Sequence, residues 1–469
     1  MAIKTNKNVK PFGMADKIGY AFGDFGNDFT FMLSSMFMMK FYTDVMGVAP
    51  AIVGTLMMIA RFVDAVTDVT MGQIVDRSKP TKDGKFKPWI RRMCGPLGIA
   101  AFLIFQSGFA GMPMGFKIFW MFLTYILWGS IFYTSVNIPY GSMASAVSAD
   151  PDDRAQLSTF RNIGATLASL VIGTGTPLIA YEVVDGATVL SGSKMTIIAG
   201  VFAACGIICH LLCFNLVTER IEVPQNTTKL DIGAMLKRIA TNRSLLGIIA
   251  AAILLLLGML GMTGMAPYVF PVYYNSGSAQ SLSSFTSNIV VLLICAPLAA
   301  KIASKIGKKE LATISCIAST VVWVICLVIR PSNVNVFVGF YTVSYIGIGI
   351  FNTIIWAMIT DVIDDAEVKN GVREDGTIYS VYSFARKLGQ ALSSGMIGGL
   401  MTMIGYSDVV AKNPSAYPDV LSNIFNLSCI IPAIGLAAVA LALLFLYPLT
   451  KSKVDANVAE LARRRKTRK

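Results

Sequence analysis

Apolar runs long enough to cross a bilayer recur along this chain, and carboxylates sit inside them: Asp28 in GDFGNDFTFML, and Asp64 and Asp68 in ARFVDAVTDVTMG. A charged side chain in a spanning helix costs roughly 2.5 to 3.5 kcal/mol on insertion scales. Such residues therefore face a bundle interior or a water-filled cavity and mark an ion or substrate path. The pattern points to a cation-coupled carrier.

Composition agrees on the class, with 54% hydrophobic residues, 14% charged and a mean hydropathy of +0.62, far from soluble averages. About 20 apolar residues cross the hydrocarbon, which predicts twelve spanning helices starting near residues 17, 48, 93, 117, 154, 193, 243, 282, 311, 335, 378 and 419. The fold class expected is an all-α polytopic membrane protein of two six-helix bundles. An even number of spans puts both termini on one side. The first span begins only after Lys4, Lys7, Lys10 and Lys17, with no short apolar region and small-residue cleavage site, so the N-terminus is expected to be retained.

Basic residues collect in alternate loops. Arg77, Lys79, Lys82, Lys85, Lys87, Arg91 and Arg92 follow span two; Arg220, Lys229, Lys237 and Arg238 lie in the centre; Lys305, Lys308 and Lys309 follow span eight; and the tail ends RRRKTRK. The opposite loops, such as NSGSAQSL from Asn275, carry little charge, so the positive-inside rule makes both termini cytoplasmic. The net charge of +13 is then topogenic and faces the anionic leaflet, and no nucleic-acid partner is expected.

Almost all of the eight cysteines fall in apolar spans rather than in loops, where they read as small packing residues rather than disulfides. CGIICHLLC holds Cys205, Cys209, Cys213 and the only histidine, His210, but the four-residue step is that of a helix-packing stripe and no second ligand cluster accompanies it. No loop is long enough for a catalytic domain, so no enzyme, catalytic residue, metal site or cofactor is expected.

The halves are assigned to 1–218 and 243–450, with a polar cytoplasmic linker over 219–242 and a basic tail over 451–469. They echo each other: GQIVDRSKPTKDGKFKPW follows span two and AKIASKIGKKE follows span eight, sharing a Gly-Lys step at Gly84-Lys85 and Gly307-Lys308. Repeated bundles predict a binding site near the membrane midplane between the halves.

The segments FYTDVMGV, ARFVDAVTDVTMGQIVD, GKFKPW, NIPYGSMAS, TDVIDDAEVKNGVREDG and YSVYSFARKLGQA resemble the glycoside-pentoside-hexuronide:cation symporters of the major facilitator superfamily, the group that includes melibiose permease. The motifs are nearer to those of the glucuronide and pentoside carriers. The resemblance implies a multi-pass protein of the bacterial cytoplasmic membrane, acting as a monomer, that imports a sugar with a monovalent cation.

Asp64 and Asp68, four residues apart, share one helix face about 6 Å from each other. Two carboxylates there can share a proton or offer oxygens to Na⁺, while Arg61, one turn earlier, could instead neutralise Asp64 in a packing ion pair. By resemblance these aspartates bind the coupling ion, with Thr134 from span four completing the site and Asn137 standing where the family has a third carboxylate. A neutral amide there tilts the expectation to H⁺, with Na⁺ the alternative because an Asn oxygen still ligates sodium.

Sugar recognition needs acceptors and bidentate donors for vicinal hydroxyls plus an aromatic face. Resemblance assigns Asp28, Asn137, Arg161 and Lys387 to the sugar site, with Gly141 and Asn352 where melibiose permease has tryptophans, so its substrate does not transfer directly. Helical geometry adds Asp24, one turn before Asp28; Tyr140, Trp356 and Arg386 complete the candidate set. Arg386 and Lys387 together suit a substrate carboxylate. Successive helix positions diverge by about 100°, and a cavity faced by Lys387 alone would suit a neutral glycoside such as a xyloside. Finally, Asp361 and Asp364 near the end of span ten are expected to form gate ion pairs with basic residues after span two such as Arg77 and Lys85.

Overall fold

The computed structural model describes residues 10–221, 242–371 and 375–467. The expected linker falls outside them from residue 222 to 241, as do Lys4, Lys7, Arg373 and Glu374. The described residues form twelve long helices, each beginning close to an expected span: α1 (Met14–Lys40), α2 (Pro50–Arg77), α3 (Lys87–Ile104), α4 (Met114–Val147), α5 (Pro151–Ala180), α6 (Gly192–Leu216), α7 (Arg243–Tyr273), α8 (Gly277–Ile306), α9 (Lys308–Ile329), α10 (Val334–Asn370), α11 (Asp375–Met403) and α12 (Pro418–Phe445). A further helix, α13 (Lys451–Thr467), occupies the basic tail.

Helix starts follow ordinary capping chemistry. Asp150 accepts a hydrogen bond from Asp152 N at 2.8 Å ahead of Pro151 at the first turn of α5, and Asn242 accepts from Ser244 N and Leu245 N at the start of α7. Between α5 and α6 lies an element that the sequence reading missed, an antiparallel hairpin of β1 (Tyr181–Val184) and β2 (Ala187–Leu190). Its signal was present: Asp185-Gly186, with φ of 50° and 81°, is the Asp-Gly pair that a tight two-residue hairpin turn favours.

Eight of the long helices, α4 to α10 and α12, are apolar enough to cross a membrane by length and composition. The remaining four, α1, α2, α3 and α11, fall outside that set, and they are the charged ones. α1 carries Asp24 and Asp28, α2 carries Arg61, Asp64 and Asp68, α3 carries Arg91 and Arg92, and α11 carries Arg386 and Lys387.

The chain divides into two compact units. Residues 1–228 and 398–418 form unit 1, and residues 229–397 and 419–469 form unit 2. Close helix approach inside each depends on small residues, as expected where lipid supplies no hydrophobic drive. In unit 1, a side chain at Gly164 of α5 would collide with the backbone carbonyl of Ala21 on α1, and one at Gly206 of α6 would stand 3.2 Å from Gly26 O. In unit 2, a Cβ at Gly435 of α12 would lie 2.6 Å from Gly258 Cα of α7.

The Gly-Lys step recurs as geometry. Gly84 has φ +112° and Gly307 φ +108°, backbone conformations that L side chains rarely adopt. In unit 1 this turn is gripped by Glu219, which accepts from Lys85 N (2.7 Å), Phe86 N (2.9 Å) and Lys87 N (2.7 Å) at the start of α3. Burial pushes the Glu219 carboxyl above the ordinary glutamate range, and the three N–H groups pull it part of the way back. The adjacent Arg220 pairs with Asp16 at 2.8 Å and donates to Lys10 O, so two neighbouring charges tie the chain after α6 to two other segments of unit 1.

Each of these N–H groups loses its acceptor in Glu219→Ala. A buried donor left without a partner costs about 1–3 kcal/mol, so this variant is expected to lower the midpoint of thermal unfolding in detergent by several degrees. Glu460→Ala, which removes only the ion pairs to Arg463 and Arg464 on α13, should leave the midpoint unchanged. A Glu219→Ala midpoint equal to wild type would show that the grip contributes nothing.

Candidate functional site

The carboxylates of α2 meet α4 in register. Ser130 Oγ donates to Asp64 Oδ1 at 2.6 Å, and Thr134 Oγ1 donates to Asp68 Oδ1 at 2.8 Å. Both pairs are spaced by four residues, so the helices touch through two successive rungs. Ser130 lies in the π-helical stretch Ile126–Tyr133 of α4 and Thr134 immediately follows it. Such wide turns shift the helix register locally and recur at functional sites. Arg61 Nη1 lies 3.2 Å from Asp64 Oδ2, with its guanidinium 5.2 Å from the centre of the Phe31 ring. Asp64 is buried and Asp68 half-buried. Arg61 thus pairs with Asp64.

Sequence reading missed Ser130, a small polar residue in an otherwise apolar run. It found Asn137, which is half-buried on α4 and makes no hydrogen bond among the described residues.

On the next face of unit 1, Arg161 of α5 pairs with Asp24 of α1, Nε to Oδ1 at 3.1 Å, and its guanidinium lies 5.7 Å from the centre of the Tyr140 ring. Tyr140 and Tyr20 form a reciprocal pair. Their rings stack at 4.6 Å, Tyr140 OH donates to Tyr20 O at 2.7 Å, and Tyr20 OH donates to Tyr140 O at 3.2 Å. Gly23 leaves the space that the Tyr140 ring fills. Asp28, one turn beyond Asp24, has Asp24 and Arg161 as electrostatic neighbours and accepts no hydrogen bond among the described residues. The geometry therefore separates two aspartates that lie one turn apart: Asp24 holds the arginine, and Asp28 does not. Behind them, His210 Nδ1 donates to Gly206 O at 2.7 Å while Nε2 meets the Asn27 side chain at 3.1 Å, so this histidine ties α6 to α1.

In unit 2, Trp356 of α10 and Tyr382 of α11 meet edge to face at 5.1 Å, and Tyr379 stacks on Trp356 at 6.4 Å. The Arg386 guanidinium lies 5.6 Å from the centre of the Trp356 ring and 5.9 Å from that of Tyr382. Asn352 shares the exposed face of α10 with Trp356, four residues away, and Lys387 is half-buried.

Asp361 pairs inside its own unit with Lys308 at 2.6 Å, because Lys308 opens α9 directly after the Gly307 turn. Lys85 Nζ is turned inward to Asp76 O at 3.0 Å and its backbone N–H to Glu219, and Arg77 is exposed with no ion pair among the described residues. Asp365, next to Asp364, is held by Lys369 at 2.6 Å and by Ser244 Oγ at 2.7 Å.

Comparison with known proteins places the chain in a family. The family described as MFS/sugar transport protein matches residues 19–451. The "Uncharacterized symporter YjmB" of Bacillus subtilis is 32% identical, with 98% of this chain and 97% of that protein covered. The "Glucuronide carrier protein homolog" of Escherichia coli is 28% identical, covering 96% and 95%, and the "Isoprimeverose transporter" of Lactiplantibacillus pentosus is 29% identical, covering 94% and 89%. Among solved structures, a D-xylose-proton symporter superposes with a TM-score of 0.62 at 14% identity, covering 93% of this chain and 97% of that one, a likeness of fold. Twelve helices, a carboxylate pair met by hydroxyls in the first six and a match over almost the whole length lead to one assignment: the chain belongs to the MFS/sugar transport family, within the glycoside-pentoside-hexuronide symporter type of the major facilitator superfamily.

Proposed function

We propose that this protein imports a glycoside together with a monovalent cation by alternating exposure of its site to the two sides of the bacterial cytoplasmic membrane. The observation that carries the reading is the double rung of Asp64 with Ser130 and Asp68 with Thr134, which gathers carboxylate and hydroxyl oxygens of two helices in one place. Oxygen donors alone would suit Na⁺, but with Asn137 in place of a third carboxylate the proton is the coupling ion we favour, carried on Asp68.

The candidates for sugar recognition, in this reading, are Asp28, Asn137 and the Asp24–Arg161–Tyr140 group in unit 1, and, taken separately, Asn352, Trp356, Arg386 and Lys387 in unit 2. The relatives named for glucuronide and isoprimeverose transport support a glycoside as cargo. Coupling is linkage: cation and sugar each raise the other's affinity by one common factor. The basic loops support cytoplasmic termini, and the single chain carries the whole residue set.

In energised vesicles, a glucuronide or pentoside added to wild type should cause alkalinisation of the medium, and Asp68→Asn should abolish it. No sugar-dependent movement of H⁺ or Na⁺ across a panel of xylosides, galactosides and glucuronides would defeat the symport reading. Ser130→Ala removes one hydrogen bond to a charged acceptor, worth about 1.5–3 kcal/mol, and should weaken apparent cation affinity about tenfold or more. Ser135→Ala, whose hydroxyl bonds the Ile131 carbonyl of its own helix, should leave cation affinity at the wild-type value. Equal affinities in the two variants would remove Ser130 from the site.

A further inference from the structure

Two cations at the start of α3 share one aromatic ring. Lys87 Nζ lies 4.9 Å from the centre of the Phe214 ring on α6, and the Arg91 guanidinium lies 5.2 Å from the same centre. Lys87 and Arg91 are four residues apart and so neighbours on one helix face, where like charges repel. The ring attracts each of them but has no net charge to set against theirs. Neither cation forms an ion pair among the described residues. Glu219, foremost among the acidic neighbours of Lys87, spends its oxygens on the N–H groups of Lys85, Phe86 and Lys87. The positive-inside bias accounts for basic residues in this loop, but not for two of them gathered on one ring.

From this cluster α3 and α6 run antiparallel in close contact. A Cβ at Gly98 of α3 would lie 2.6 Å from Ile207 Cδ1, and one at Gly200 of α6 would lie 3.4 Å from Phe102 Cε2. One flank of that contact line is open. Gly95, one turn beyond Arg91, has nothing within 4 Å of where a Cβ would stand, and Ile99, a further turn on, is 60% exposed. Across the seam, Leu211 and Ile208 lead away from Phe214 in steps of three residues and are 38% and 56% exposed. At about 100° per residue, Gly95 and Ile99 are rotated from Gly98 in the same sense as Leu211 and Ile208 from Ile207. In antiparallel helices equal rotations face one flank, so all four residues line the same groove, which the cation pair closes at its end.

We propose that the α3–α6 seam is a binding site for one anionic phospholipid of the cytoplasmic leaflet, its phosphate held by Lys87 and Arg91 and an acyl chain laid over Gly95. The guanidinium offers a planar fork to two phosphate oxygens and the ammonium a point charge. One phosphate then relieves the repulsion between two cations that the chain itself leaves unpaired. The apolar lips of the groove continue from the headgroup toward the bilayer interior, as a lipid chain does. An anionic headgroup is favoured over a zwitterionic one because the groove end carries two positive charges and no acidic partner for them. The lipid would join the start of α3 to the end of α6, the same two ends that Glu219 ties through the backbone. The inference is independent of the cargo and of the coupling ion.

The test follows lipid binding to the full-length protein in nonionic detergent by native mass spectrometry, with phosphatidylglycerol and phosphatidylcholine of identical acyl chains titrated separately. Wild type should bind the first phosphatidylglycerol about tenfold or more tightly than phosphatidylcholine. Lys87→Gln/Arg91→Gln should lose about 10- to 30-fold in phosphatidylglycerol affinity, as befits two basic residues at an anionic headgroup. Lys87→Arg/Arg91→Lys, which keeps both charges, should stay within about threefold of wild type. Lys79→Gln/Lys82→Gln removes the same charge from exposed positions of the same loop and should change the affinity less than about twofold. Inorganic phosphate, which has the charge but no chain, should not displace the lipid. Equal affinity for the two lipids in wild type, or equal losses in the two Gln double variants, would reduce the effect to general surface charge and overturn the proposal. Displacement by inorganic phosphate would assign the two cations to a free anion and overturn the lipid assignment.

Discussion

An ionisable group in hydrocarbon has to find its counter-charge within the protein, and this structure is organised around that requirement. Arg61 shares Asp64 with a serine of α4, Arg161 of α5 takes Asp24 of α1, and the buried Lys40 pairs with Asp44 at 2.5 Å while Tyr406 bonds both. Each pairing needs partners within about 3 Å, and two of these reach between different helices. The helices can come that close only where side chains are small, which is why Gly164 faces the Ala21 carbonyl and Gly23 faces the Tyr140 ring. Charge pairing and glycine packing are thus one constraint seen from two sides.

The cation seat shows how backbone irregularity serves chemistry. A regular helix would hold α4 in one register along its whole length. The π-helical stretch Ile126–Tyr133 offsets the chain so that Ser130 and Thr134 face Asp64 and Asp68 rung for rung. A proton or cation arriving at this seat changes the charge on a network that already holds Arg61 and Phe31. In the proposed mechanism, ion occupancy would act through the packing of α1 against α2 and α4, the kind of differential contact that linkage between two ligands requires.

The two units share a turn but not a chemistry. Gly84 and Gly307 adopt nearly the same left-handed backbone before a lysine, the geometric trace of a repeated element. Unit 1 has filled its interior with carboxylates and paired arginines. In unit 2 the Arg386 guanidinium instead lies against the rings of Trp356 and Tyr382.

Hydrophobic length and charge placement were enough, from the sequence, to establish twelve helices, their approximate starts and the helices bearing the ion and sugar residues, because a bilayer penalises each unsatisfied backbone group and each misplaced charge independently of what lies elsewhere. Asp64 and Asp68 were legible for that reason, whereas Arg161 and Thr134 were marked by resemblance to a family. The β1–β2 hairpin was legible too, through Asp185-Gly186. Partner choice belonged to tertiary structure: Ser130 as the hydroxyl on Asp64, Asp24 as the partner of Arg161, and Lys308 as a partner of Asp361. A serine in an apolar run costs the membrane almost nothing and so leaves no mark in the pattern. Which acid meets which base depends on helix rotation and separation at the ångström scale, and those are set by the glycine contacts between helices rather than by the composition of any one of them.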